Sequence, residues 1–420
     1  MQKFDVVIVG ASFSGLTLAH HLPKELSVLV VDQKPKAGSI VESTGLITSK
    51  TYNEFKTFFD IDKYITNSIS SICVVAPNFK DYFISNTEQP WIYQTDTRGL
   101  VGALADSLPG NVMIKTGVAF RSAARIEDEL VVKLQYNGDT DEVVAKFLVG
   151  ADGSRSSVAK AVDDLSTHQK FLFGYEKVIH GKILLGENPE ETIYHYWFGS
   201  FSLGYGGWIS PTFIEDKPAF RIGLAKHMKD KGEAVQLLDK FINKLREEKM
   251  IEVDDSDDCA QYAFGGIIPI DGVLKNIARD NVMLIGDAAG YCGAFAADGI
   301  KGSVISGKES AKLIGDYFAG DKKAAESLNI NLESQSGLIS YYKKQLRYRW
   351  LWDQMKRNRT FTAMYSIIQK ERESFLNQFC DSKDSKKSLT TTVLRVKYLP
   401  SLIKYLIFIL IDMAWKPKAE

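Results

Sequence analysis

The chain has 420 residues, 45% of them hydrophobic, and its 52 Lys and Arg are matched by 52 Asp and Glu. A chain of this length buries one large core or two moderate ones, and the charge balance supplies neither a basic surplus for nucleic acid nor an acidic surplus for disorder. Cys73, Cys259, Cys292 and Cys380 are widely separated and form no Cys-x-x-Cys pair, which leaves zinc sites and disulfide frameworks unsupported and suits a reducing cytosol.

The apolar run Phe4-Asp5-Val6-Val7-Ile8-Val9 predicts a strand starting so early that no room is left for a signal peptide. Gly10 to Gly15 is a glycine-punctuated turn, and Leu16 to Leu22 reads as a helix. Together they form the opening of a dinucleotide-binding βα unit: Gly10 permits the tight turn, Gly15 lets helix and strand pack closely, and the helix N-terminus faces a pyrophosphate. Ser12 occupies the position of the middle glycine and adds a side chain where the backbone must approach phosphate. The next strand, Ser27 to Val31, ends at Asp32, the acidic residue expected about 20 residues on to bind ribose hydroxyls.

Residues 71–96 and 166–265 carry alternating aromatic and β-branched residues, as in Thr192-Ile193-Tyr194-His195-Tyr196-Trp197-Phe198, and predict an antiparallel sheet. Its aromatics either fill the sheet's own core or line a pocket. Phe147-Leu148-Val149 is a further strand, running into Gly150-Ala151-Asp152-Gly153, with Ser156 or Ser157 placed to cap a helix. Asn281 to Ile285 is another, ending in Gly286-Asp287-Ala288-Ala289-Gly290 just where a helix is expected to begin. Free N–H groups and a positive dipole end would meet an anion there, and Asp287 would accept hydrogen bonds from sugar hydroxyls, as a ribityl-phosphate chain requires.

Leu338 to Met364 reads as one helical stretch dense in aromatics and bases. Farther on, Tyr398 to Trp415 is strongly apolar, yet its uninterrupted core, Tyr405 to Ile411, is far short of the ~20 residues needed to span a bilayer. Lys397, Lys404, Lys416 and Lys418 flank it, with Trp415 at one boundary. It is either an interfacial helix or a buried C-terminal helix.

The order Gly-x-Ser-x-x-Gly, Gly-Ala-Asp-Gly-Ser-x-Ser and Gly-Asp-Ala-Ala-Gly resembles the FAD-dependent oxidoreductases of the para-hydroxybenzoate hydroxylase type, over roughly residues 1–320. Within them the chain looks most like the geranylgeranyl reductase family, which saturates isoprenoid double bonds. Gly206-Gly207-Trp208-Ile209-Ser210-Pro211 resembles that family's Tyr-x-Trp-x-Phe-Pro stretch. Trp208 and Pro211 match, whereas Gly206 and Ser210 replace aromatics, which implies a reshaped or wider substrate pocket, or a different subfamily. Tyr93-Gln94-Thr95-Asp96-Thr97-Arg98 is similar to the family's Asp-Arg pair with Thr97 inserted, which puts Arg98 near the flavin.

The resemblance implies an α/β fold: a Rossmann-like FAD-binding domain (1–70, 97–165 and 266–325) and an antiparallel-sheet substrate domain of α+β type (71–96 and 166–265); the pattern of the remaining residues adds a helical C-terminal region (326–420), membrane-associating on the interfacial reading of its apolar segment. Gly10, Ser12, Gly15, Asp32, Arg98, Asp152, Gly153, Gly286, Asp287 and Gly299 would surround FAD, and Trp208, Pro211 and Gly206 would contact a polyprenyl lipid. Hydride would come from reduced flavin. Cys292 and Asp298, on the loop beside the isoalloxazine, are the candidates for the proton donor, although Cys292 better suits a packed apolar role. That loop, Ala294 to Asp298, departs from the family pattern but retains Gly299 and Gly302. The family's cysteine after the second strand is absent, Val41-Glu42-Ser43-Thr44-Gly45 standing in its place. The expected electron donor is NAD(P)H or ferredoxin, with no metal, and the expected location is the cytoplasm, peripheral on the inner face of the membrane. An FAD monooxygenase and a non-catalytic membrane flavoprotein are the competing readings.

Overall fold

A computed structural model describes residues 1–197, 204–228, 231–254, 260–373 and 396–414. The chain opens with β1 (Gln2–Val9), α1 (Phe13–His21) and β2 (Val28–Asp32). Val6 to Ile8 and Leu29 to Val31 are fully buried, as unbroken β-branched runs are when both sheet faces are covered. α1 begins at Phe13, earlier than the Leu16 expected from the pattern, with Ser12 at its N-cap.

There follow β3 (Leu46–Thr48), α2 (Ser49–Lys56), β4 (Ile65–Ile69), β5 (Ser71–Val75), β6 (Tyr82–Asn86), β7 (Ile92–Thr95) and α3 (Thr97–Asp106). Then come β8 (Val112–Thr116), β9 (Val118–Ile126), β10 (Glu129–Tyr136), β11 (Asp139–Gly150), α4 (Ser157–Ala161), β12 (Phe171–Ile183), β13 (Thr192–Tyr196), β14 (Gly204–Ile214) and β15 (Lys217–His227). α5 (Lys231–Glu247), β16 (Ile251–Val253), β17 (Ala260–Pro269), β18 (Ala278–Arg279), β19 (Val282–Leu284) and α6 (Gly299–Phe318) lead to the C-terminal helices.

The first sheet has the order β18-β19-β11-β1-β2-β8, with β10 and β9 continuing from β11. β19, β11, β1, β2 and β8 run parallel. α1 and α6 cross closely: a Cβ on Gly307 would lie 2.8 Å from Ser14 O. The second sheet has the order β16-β12-β15-β14-β13-β5-β6, with β17 also on β12. It departs from the all-antiparallel expectation at one place, where β13 pairs parallel with β5. A long excursion through the first sheet separates these two strands, so no hairpin constrains their relative direction. Phe241, Leu238 and Leu245 of α5 cover one face of this sheet. β7 also departs from expectation, joining β3 and β4 in a separate three-stranded sheet.

The C-terminal region is helical: α7 (Leu328–Ser336), α8 (Leu338–Gln354), α9 (Asn358–Ile368) and α10 (Leu399–Ala414). The single helix expected over Leu338 to Met364 is broken between α8 and α9, because the backbone N–H groups of Lys356 and Arg357 turn to the Asp412 carboxylate of α10. α10 buries one face against the molecule and leaves another exposed. Tyr405, Ile409 and Asp412 are buried, while the opposite face is exposed and aliphatic, with Leu406 at 54% and Leu410 at 65%. Among the described residues, no helix is long and apolar enough to cross a membrane. Phe198, Cys259, Cys380, Trp415, Lys416 and Lys418 lie outside the described residues.

Candidate active site

Three strand ends meet side by side at the C-terminal edge of the first sheet. Val9 pairs with both Gly150 and Val31, and Gly150 with Leu284. The turns are stitched together by backbone hydrogen bonds: Gly10 N to Val31 O at 2.8 Å, Ala151 N to Val9 O at 2.8 Å and Ile285 N to Gly150 O at 2.9 Å. In open α/β sheets this edge is where ligands bind.

The first turn requires its glycines. Gly10 has φ 114°, and a Cβ on it would lie 2.2 Å from Ala151 O; a Cβ on Gly15 would lie 2.0 Å from Gly10 O. The Asp32 carboxylate fastens this turn, accepting from Ala11 N at 2.7 Å and Lys34 N at 2.8 Å. In the second turn, the expected cap is present: Ser156 Oγ accepts from Ala159 N at 2.9 Å. Asp152 adds to it, its Oδ2 accepting from Ser157 N at 2.6 Å and Val158 N at 3.2 Å.

The third junction differs from expectation. Gly286 to Ala289 form a single 3-10 turn rather than a helix start, and α6 begins only at Gly299. Gly286 and Gly290 have φ of 58° and 84°, which stops an α-helix from propagating there. His168 Nε2 donates to Asp287 O at 2.9 Å and holds the turn. The start of α6 still reaches Asp287, since a Cβ on Gly299 would lie 2.8 Å from Asp287 Oδ1.

A cavity of about 630 Å³ opens on these turns. Gly10, Ser12, Asp32, Asp152, Gly153, Asp287 and Gly299 line it, together with Cys292, Asp298 and Trp208. Gly15 and Gly286 shape the turns from behind. Three expected site residues are placed elsewhere. Arg98 is exposed in the first turn of α3, outside the lining. Gly206 forms a β-bulge with φ 99° against the backbone of β13, where a Cβ would lie 2.6 Å from Tyr196 O, so it does not widen the pocket. Pro211 is paired with Phe220 within the sheet and contributes only its carbonyl to the network beneath the cavity wall.

The electrostatics distinguish the acidic groups. Burial, reinforced by Asp298, pushes the Asp287 carboxyl up to about 6. Burial also pushes the Cys292 thiol well above its ordinary range, with Asp287 and Asp298 adding to the effect. Asp298 accepts from Tyr341 OH at 2.5 Å and Gln345 Nε2 at 3.1 Å. Gln345 Oε1 in turn accepts from Phe295 N and Ala296 N, so α8 clamps the loop before α6. Glu176, His195, Lys301 and Tyr341 also line the cavity and were not singled out in the sequence. A glutamate inside the apolar β12 was the available signal, because a charge at a core position demands a partner.

The sequence profile of the FAD binding domain matches residues 84–306. The chain belongs to this FAD-binding family. The residues present fit the cofactor: Asp152 Oδ1 is buried without a hydrogen-bond partner, and Asp287 offers a buried carboxyl to ligand hydroxyls. Among relatives, digeranylgeranylglycerophospholipid reductase 2 of Methanosphaera stadtmanae is 24% identical, covering 78% of this chain and 83% of its own. The digeranylgeranylglycerophospholipid reductase of Methanococcus aeolicus is 23% identical over 96% of this chain and 97% of its own. Among solved structures, a geranylgeranyl bacteriochlorophyll reductase-like protein from Thermoplasma acidophilum superposes with a TM-score of 0.67 at 17% identity, over 99% of both chains. The p-nitrophenol 4-monooxygenase of Pseudomonas putida gives 0.66 at 14% identity, over 90% of this chain and 99% of its own. At these identities the likeness to solved structures is one of fold, and the fold is that of FAD-dependent oxidoreductases.

Proposed function

We propose that the protein is an FAD-dependent reductase that saturates isoprenoid C=C bonds of a polyprenyl lipid, of the kind its archaeal relatives are named for. The observation that carries this reading is one continuous cavity in which the FAD turns share space with an apolar, aromatic wall: Trp91, Ile193, Trp197, Trp208, Phe295 and Trp352. An isoprenoid chain has no polar handle along its length, and each buried CH₂ contributes about 0.8 kcal/mol, so such a wall supplies its binding.

Reduced FAD, when bound, supplies the hydride. Gly10, Ser12, Asp32, Asp152, Gly153, Asp287 and Gly299 would hold the cofactor, and the aromatic wall would align the chain and keep water out. The two candidate proton donors differ in what they can do. Cys292, held far above its ordinary range, keeps its proton at neutral pH. Asp298 has both oxygens occupied as acceptors, so it orients Tyr341 and fixes the loop. Electrons come from directly docking NAD(P)H or from ferredoxin, which anaerobic reduction by each would distinguish. The exposed aliphatic face of α10 supports peripheral association with a lipid surface.

The test is anaerobic reoxidation of the dithionite-reduced holoprotein by a geranylgeranyl phospholipid, a prenylated quinone or a prenyl diphosphate. Product that gains two hydrogens per saturated bond is the expected result. Oxygen-dependent product gaining one oxygen atom would identify a monooxygenase, and flavin that no prenyl lipid reoxidises would leave a binding protein.

A further inference from the structure

Glu176 lies mid-strand in β12, within Phe171-Leu172-Phe173-Gly174-Tyr175-Glu176-Lys177-Val178, and is 2% exposed. Its two carboxyl oxygens have different partners: Trp208 Nε1 donates to Oε2 at 2.8 Å, and Arg221 Nη1 donates to Oε1 at 3.3 Å. With its amide oxygen turned to the guanidinium, Gln94 of β7 accepts from Arg221 Nε at 2.8 Å and donates to Pro211 O at 2.5 Å. The contacts therefore run from the small sheet, through a cation and a carboxyl, to one indole.

Strand register explains how the indole reaches the carboxyl. Trp208 pairs with Gly223 and Gly223 with Glu176, so the three form a row across β14, β15 and β12. A Cβ on Gly223 would lie 2.3 Å from Trp208 Cζ2 and 2.6 Å from Cε2, so the ring lies over the bare glycine and spans that strand. His195 of β13 continues the row beside Trp208, and burial pushes its pKa down to about 4, leaving it neutral. His195, Trp208 and Glu176 all face the cavity. Apolar contact is non-directional, so presenting one particular double bond of a uniform chain requires a wall of fixed shape.

We propose that Glu176, held by Arg221 and Gln94, is a positioning residue that locks the Trp208 indole across Gly223 as the guide wall for a long apolar chain, and so sets which bond of that chain is presented. The proposal rests on the polyprenyl reductase reading and deepens it. Glu176 does not touch the reacting carbons in this role; it acts through Trp208.

The first readout is independent of turnover. In near-ultraviolet circular dichroism of the holoprotein, the band obtained by subtracting Trp208→Phe from wild type should be lost in Glu176→Leu and kept in Glu176→Gln, whose amide oxygen still accepts from the indole. The second uses geranylgeranyl phospholipid in detergent. Glu176→Leu should raise KM about tenfold and scatter reduction among the bonds at unchanged FAD stoichiometry, Glu176→Gln should restore both, and Glu176→Leu should add nothing to Trp208→Phe. If Glu176→Leu fails to accumulate, Gly223→Ala displaces the ring without touching the buried charges and should give the same band loss and KM rise. A wild-type band in Glu176→Leu or Gly223→Ala, or a Glu176→Leu effect undiminished in the Trp208→Phe background, overturns the proposal. A lost band together with flavin that no prenyl lipid reoxidises supports the positioning of Trp208 and places the failure in the polyprenyl reading.

Discussion

Asp412 of α10 anchors the turn that leads into α9 from across the helix pair: its carboxylate accepts from Arg357 Nε at 2.5 Å, from the backbone N–H groups of Lys356 and Arg357, and from Thr360 Oγ1 at 2.7 Å. An acid inside a strongly apolar helix is thus a docking device. It anchors the buried face of α10 while the other face remains exposed.

Loss of that anchor should undock α10. Burial alone would raise the Asp412 carboxyl, but the hydrogen bonds from Lys356, Thr360 and Arg357 outweigh it and hold the carboxyl below its ordinary 3.8. A depressed pKa means that the stabilisation is present at neutral pH and disappears as pH falls below about 4. Asp412→Asn should cost about 2 kcal/mol at pH 7, with the difference from wild type shrinking on acidification. Thermal melts of the two proteins at pH 7 and pH 3.5 check the sign.

The FAD site should also respond to pH, in the opposite sense. Moving a buried carboxyl from 3.8 to about 6 corresponds to about 3 kcal/mol of penalty on the apoprotein at neutral pH, reduced to roughly 1–2 by solvent in the cavity. A raised pKa leaves stability intact below about 4 and removes it as pH rises through 6. Asp287→Asn apoprotein should therefore melt higher than wild type at pH 7.5 and equal to it at pH 4. Ligand hydroxyls favour the ionised carboxyl, so FAD should bind wild type more tightly at pH 7.5 than at pH 5, and Asp287→Ala should weaken FAD by about 1–3 kcal/mol. Fluorimetric FAD titrations read both effects.

The exposed stripe on α10 should carry lipid binding. Burying a leucine contributes about 1.5–3 kcal/mol, so Leu406→Glu with Leu410→Glu should lower partition into anionic phospholipid vesicles more than tenfold. Both side chains are exposed, so the melting temperature should stay close to that of wild type. Vesicle co-sedimentation decides the matter, and unaltered binding by the double variant would remove α10 from the account.

Two residues test the geometry of the turns and the loop. Gly10→Ala puts a methyl 2.2 Å from Ala151 O at a positive φ, and should cost at least about 2 kcal/mol and yield colourless protein. Cys292 should resist iodoacetamide at pH 8 in the native protein and react fully after unfolding, because its thiol is buried and keeps its proton. Mass spectrometry of the alkylated peptide reports the outcome.

The turns were legible because their causes are local. Gly10, Asp32, Asp152 and Asp287 each closely follow an apolar run, and the glycines and acids that specify such a turn lie within a few positions of it. Helix boundaries were less so. α1 starts early because Phe13 can be buried as the helix begins, and α6 starts late because two positive-φ glycines intervene after Ile285.

From its residue order alone, this chain specified three glycine–acid turns at strand ends, an aromatic sheet and a strongly apolar terminus, set by alternation, glycine placement and spacing, while the FAD-type α/β fold followed from the resemblance of those motifs to a known family. Tertiary structure alone decided which of the named residues face the cavity. Trp208 faces it because Gly223 leaves room for its ring and Glu176, 32 positions away, takes its N–H; Gly206 and Pro211, close to it in sequence, are spent on a bulge and a strand pairing. Arg98 is exposed on α3, and Asp412, 55 positions from Arg357, anchors the turn before α9. These outcomes depend on strand register and helix docking between distant segments, which no local window of sequence encodes.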